Sequence, residues 1–298
     1  MSARHASLLA ALSLVWGGSY LLIKYALEGF SAAAIVSARC LLASLVLAAL
    51  GAAGPGLRDL RARPKWGLIL AVTAVAAPFL LITFGEHVVP SGLTAVLISP
   101  ASLFVALLAP AIDPSERIDR RQGLGMAMGL GGVALVVGVE SIGTVGQFLG
   151  ALAMVAAAFF YALSSFVVKR RYGHLAAMQT SWISVTLAGL ITLPVGIATT
   201  PGHTPGLGAV AALAALGVVG TALGFIIFYE LINGVGAGRA SLVSYLAPGV
   251  ALFYGALFRG ESITLAAVAG LVLILAGVAI ASRKRRVVVR GVPAAEPV

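Results

Sequence analysis

The stretch ERIDRRQGLGMAMGLGGV at residues 116–133 recurs as ESITLAAVAGLVLILAGV at residues 261–278. Glu116, Gly125 and Gly132-Val133 return as Glu261, Gly270 and Gly277-Val278 with identical spacing. The offset of about 145 residues (261 against 116) holds along the chain. Trp16 and Lys24 are spaced like Tyr161 and Lys169, and Leu42-Ala43 with Leu45 recurs as Leu187-Ala188 with Leu190. Each copy contains five apolar segments of membrane-spanning length. Five is odd, so the second copy must enter the bilayer from the opposite face. Inverted-topology repeats of this kind are one way to build a secondary transporter.

The composition agrees. The 298 residues are 60% hydrophobic and 10% charged, with a mean hydropathy of +1.05. A soluble surface needs far more charge, so the chain reads as an all-α polytopic membrane protein. A net charge of +10 could indicate a nucleic-acid partner. Cytoplasmic loops explain it more simply, because cations resist translocation. No nucleic-acid partner is therefore expected. The single cysteine, Cys40, lies inside an apolar run and cannot form an intrachain disulfide. The first apolar run follows Arg4 as a signal peptide would. It is too long for an h-region, Lys24 interrupts its end, and it matches the segment near 147–168, so it is read as a retained helix.

Ten transmembrane helices are expected at 7–27, 32–51, 66–86, 91–112, 120–139, 147–168, 176–198, 207–231, 239–258 and 263–282. They form two inverted five-helix repeats, 7–139 and 147–282, followed by a basic cytoplasmic tail at 283–298. Gly51 to Pro55 and Pro201 to Pro205 read as loops, and Pro90 opens the fourth span. Of the 20 Lys and Arg residues, seventeen fall on one side of this arrangement and only Arg259 on the other; Lys24 and Arg39 lie within spans. That asymmetry places both termini in the cytoplasm. The tail would meet anionic lipids of the inner membrane. Gly125 and Gly129, with Gly131-Gly132, form a small-residue face suited to internal helix packing. The same face could seam a weak homodimer; otherwise the protein is a monomer.

The opening Leu14-Val15-Trp16-Gly17-Gly18-Ser19 with Lys24 resembles that of the drug/metabolite transporter superfamily, EamA-like branch. So does Arg39 in the setting Ser37-Ala38-Arg39-Cys40-Leu41-Leu42-Ala43. Each half then carries a Pro, a Glu and a Gly-x6-Gly-Val: Pro100, Glu116, Gly125, Gly132 and Val133, and Pro248, Glu261, Gly270, Gly277 and Val278. The resemblance covers residues 8 to 282. It implies a ten-helix permease that moves small metabolites, commonly outward. One departure is Asp113-Pro114-Ser115, which lengthens the fourth-to-fifth loop relative to the second copy.

Arg39 is the most telling charge. An ionised residue so deep in a span costs about 2.5–3.5 kcal/mol on insertion scales, so it should face protein or a water-filled cavity. It is a candidate site for a substrate anion, against the alternative of a structural arginine. Trp16, Tyr20, Phe79, Tyr161, Trp182 and Tyr245 fall within spans and are candidates to line a substrate cavity, against ordinary packing. Glu86 and Glu230, near helix ends, are the candidates for a proton or amine site, against solvated or capping roles. Lys24 reads as snorkelling to the interface. Gly234 to Gly238 has no preceding strand and no Gly-Lys-Ser/Thr, so a hairpin explains it better than a phosphate loop.

Neither His-Glu-x-x-His nor Gly-x-Ser-x-Gly occurs, and the four histidines are scattered. No metal or cofactor is expected, and the protein is read as a non-enzyme. The expected function is secondary transport by alternating access, with export of amino acids or related metabolites implied by the resemblance. The alternatives are an intramembrane enzyme or a lipid translocase acting on lipid-linked substrates. The acids Asp113, Glu116 and Asp119 are the only cluster such an enzyme could use.

Overall fold

A computed structural model describes residues 2–112, 118, 120–140, 144–235, 240 and 242–281. These residues fold into helices: α1 (Ala3–Ala26), α2 (Ala32–Ala49), α3 (Ala53–Ala62), α4 (Pro64–Gly85), α5 (Ser91–Ala111), α6 (Arg120–Glu140), α7 (Val145–Tyr172), α8 (Ala177–Ala198), α9 (Leu207–Val235), α10 (Val243–Arg259) and α11 (Leu265–Ala281). Eight are long and apolar enough to cross a membrane. Two more, α10 and α11, are apolar but shorter. Leu45, Phe253, Leu257 and Leu265 project outward and are more than half exposed, as befits a surface facing lipid rather than water.

Side-chain caps start several helices. The Ser31 hydroxyl accepts from the Ala34 amide at 3.2 Å, and the Thr144 hydroxyl from the Gln147 amide at 3.2 Å. Within α4, residues Val72–Ala76 widen into a π turn. That turn ends beside Pro78, whose ring cannot accommodate a regular helical carbonyl one turn earlier. A longer π segment, Leu216–Leu223, lies inside α9.

Two antiparallel pairs organise the bundle. In the first, α2 lies along α8. Ser31 meets Thr199 at 2.7 Å, the Ser37 hydroxyl donates to the Gly189 carbonyl at 3.0 Å, and Ser44 meets Thr186 at 2.6 Å. In the second, α6 lies along α11. Here glycines face glycines: a Cβ on Gly277 would fall 2.5 Å from the Gly125 oxygen and the Gly129 nitrogen. Without a hydrophobic drive between helices in lipid, such close backbone approach supplies the packing energy. Around these pairs, α1 packs on α9 and α10, α4 on α7 and α8, and α5 on α7 and α10.

The structure adds α3 where a loop was expected. It is a short amphipathic helix laid against α8. Gly56 sits under the Trp182 ring, and Asp59 accepts from Arg63 at 3.0 Å and from His174 at 2.8 Å. Several expected bounds also shift. The fourth span is interrupted at Ser99 and Pro100, and the sixth extends to Tyr172.

Candidate functional site

Arg39 lies in α2 about 12 Å along the helix from Ser31, at 1.5 Å per residue. It is only 5% exposed. Its Nε and Nη2 donate to the Thr221 hydroxyl at 3.3 and 3.2 Å. The π segment of α9 makes this possible. Thr221 Oγ1 donates to the Leu216 carbonyl five residues back, at 2.8 Å, which turns its lone pairs toward Arg39. Gly217 lets α9 approach: a Cβ there would lie 2.7 Å from that of Leu42 and 3.2 Å from the Arg39 carbonyl. The guanidinium also covers the Phe79 ring, 4.2 Å from its centroid. Such stacking stabilises the cation without supplying an anion. Among the described residues no carboxylate bridges Arg39, and its Nη1 makes no hydrogen bond.

Tyr20 and Tyr161 stand within electrostatic reach of Arg39 and of each other. Both pack against the larger apolar cluster of the bundle. Glu86 also interacts with Tyr20 and Arg39. It caps the C-terminus of α4 and is fully buried. Neither of its carboxylate oxygens has a hydrogen-bond partner among the described residues. The Lys24 ammonium donates to the backbone carbonyl of Glu86. Thr94 lies beside the carboxylate, but its hydroxyl donates to the Pro90 carbonyl at 3.1 Å. A second acid, Glu261, is near and fully occupied. It accepts from the Ser91 and Gly92 amides at 2.9 and 3.0 Å and from the Ser91 hydroxyl.

The structure thus brings Arg39, Phe79, Tyr20, Tyr161 and Glu86 together. Tyr245 packs on the same apolar cluster as the two tyrosines. Trp16 lies elsewhere, in a separate cluster with Leu9, Leu12 and Leu231, against Phe228 at 5.2 Å. Trp182 is buried beneath α3. Glu230 is half-exposed and bonded to Arg4 at 2.7 Å. Sequence reasoning did not single out Thr221, and its role depends on a π turn that no sequence pattern announced. Lys24 was read as snorkelling, yet it is partly buried and bonded at the Glu86 carbonyl. Asp113, Glu116, Asp119, Arg239, residues 236–238 and the tail after Ala281 lie outside the described residues. No cluster of three or more metal-ligating side chains occurs among the described residues.

A multi-pass bundle with a buried cation facing aromatic rings fits a membrane carrier for a small molecule. The EamA-like transporter family matches at residues 4–138 and again at 148–283, and the chain belongs to it. It is 30% identical over 277 residues to a "Probable terminal-alkyne amino-acid exporter" of Streptantibioticus cattleyicolor, covering 90% of each chain. It is 27% identical over 295 residues to a "Probable amino-acid metabolite efflux pump" of Salmonella typhimurium, covering 93% of this chain and 94% of that one. A solved crystal structure, 19% identical, superposes with a TM-score of 0.65 over 95% of this chain and 98% of the other, a likeness of fold.

Proposed function

We propose that this transporter exports amino acids or closely related metabolites across the inner membrane by alternating access, with Arg39 as the anchor for the substrate carboxylate. The observation that carries this reading is the buried Arg39 guanidinium, held by a hydroxyl and an aromatic face and left without an acidic partner among the described residues. A carboxylate entering there would meet a planar donor fork already desolvated and oriented. Two relatives carry names for amino-acid export.

Ten spans in two inverted repeats give the mechanism. The double match of one family along the chain supports this reading. So do the antiparallel α2–α8 and α6–α11 pairs, each joining corresponding elements of the two halves. Exchanging the conformations of the halves would move access from one membrane face to the other. The one-sided distribution of cations supports cytoplasmic termini in this reading.

Efflux from intact cells tests the proposal. Cells expressing the protein are loaded with dipeptides, which are hydrolysed inside, and the released amino acids are followed in the medium. Faster appearance of at least one amino acid than in cells carrying Arg39→Ala supports export. Equal rates for every amino acid, with both proteins present in the membrane, contradict it.

A further inference from the structure

Glu86 is the second buried charge of this site and has no task in anchoring a carboxylate. We infer that Arg39 and Glu86 together select a zwitterion, Arg39 taking the carboxylate and Glu86 the ammonium of an amino acid. The inference rests on the export reading above and specifies its substrate class.

The geometry supports this in three steps. First, both charges are buried, Arg39 at 5% exposure and Glu86 at 0%. Leaving an ionised carboxylate buried with no donor is costly, so a built site normally supplies one. Here neither Glu86 oxygen has a partner among the described residues. Second, the nearest donors do not hydrogen-bond the Glu86 carboxylate, although the Lys24 ammonium is its closest charge. The Lys24 ammonium is on the backbone carbonyl of Glu86, and the Thr94 hydroxyl is on that of Pro90. Glu261, the other acid within reach, is saturated by Ser91 and Gly92. Third, Arg39 and Glu86 interact through the same interior but form no direct ion pair, with Tyr20 within reach of both. Two opposite charges that share a site without touching fit a ligand that carries the complementary pair. An anion alone would satisfy Arg39 and leave the Glu86 carboxylate without a hydrogen bond, with only the Lys24 ammonium nearby. An amine alone would do the reverse.

The test uses the full-length protein in liposomes and the amino acid that gives the largest signal among the twenty protein amino acids. Its 2-hydroxy analogue lacks the ammonium, and its carboxamide lacks the carboxylate. Competition of each against the labelled amino acid is measured for wild type, Glu86→Gln and Arg39→Gln. The wild type should prefer the amino acid to either analogue by at least about tenfold, the usual weight of a charge-assisted hydrogen bond. Glu86→Gln should erase the gap to the 2-hydroxy acid and keep the gap to the carboxamide; Arg39→Gln should do the opposite. If Glu86→Gln does not fold, Glu86→Asp should weaken the amino acid and spare the 2-hydroxy acid. The inference is overturned if a folded Glu86 variant keeps the wild-type gap. It is equally overturned if that variant weakens all three ligands alike, which would make Glu86 a partner of Lys24 only. Absence of signal for all twenty amino acids in the wild type overturns the amino-acid reading itself.

Discussion

Ser91 and Glu261, far apart in sequence, are joined across the bundle: Glu261 Oε1 accepts from both the amide and the hydroxyl of Ser91, each at 2.9 Å. Its other oxygen takes the Gly92 amide at 3.0 Å. The first N–H groups of a helix have no partners within it, and a carboxylate there also meets the positive end of the helix dipole. One side chain from the α10–α11 connection therefore ties down the start of α5. Glu261→Gln should lower stability by about 1–2 kcal/mol, read as a lower melting temperature in detergent, and raise labelling of a cysteine at Val88. A variant as stable as the wild type contradicts the tie.

Arg39→Lys should fold and insert normally yet transport at least about tenfold more slowly, because a point charge cannot replace a planar fork over Phe79. The comparison is the initial uptake rate at equal protein content. An unchanged rate removes Arg39 from the substrate site. Loss of the protein from the membrane assigns it a structural role.

Gly277→Ala should be costly, since its new methyl would strike the Gly125 oxygen and the Gly129 nitrogen at 2.5 Å. Separating α6 from α11 to admit it should cost about 1–3 kcal/mol. Gly131→Ala, with nothing within 4 Å of the added carbon, should leave the melting temperature unchanged or raised. The reverse order of the two melting points would refute the packing account.

Much of this architecture was legible in hydropathy and spacing, for a physical reason. Lipid demands long apolar segments with internally satisfied backbones, so the spans announce themselves. Helix α3 was not legible. Its Gly54-Pro55-Gly56 run reads as a breaker, and only the Trp182 ring overhead explains why a glycine suits a helix there. At the site, Arg39 was conspicuous because charge is rare at that depth. Glu86 was visible only as a helix-end acid. Its complete burial depends on how α1, α4 and α5 converge, which no local pattern encodes. Glu230, equally plausible in sequence, pairs with Arg4 at the surface.

The loop at 199–206 should face outward. Thr199 shares its end of the bundle with Ser31, the start of α2. Cys40 is buried, so a Cys40→Ala background removes the only native thiol. A cysteine at His203 should then react with a membrane-impermeant maleimide in intact cells. Reaction only after permeabilisation contradicts both the orientation and the inverted repeat.

Counterflow in proteoliposomes tests the central claim most directly. Liposomes are loaded with an unlabelled amino acid at high concentration and diluted into a trace of the same compound in labelled form. An alternating-access carrier exchanges inner for outer substrate, so label should accumulate transiently above its equilibrium level and then decline. Arg39→Ala liposomes should show no such overshoot. Label that only rises to equilibrium, or that enters no faster than into protein-free liposomes for any of the twenty amino acids, contradicts the account.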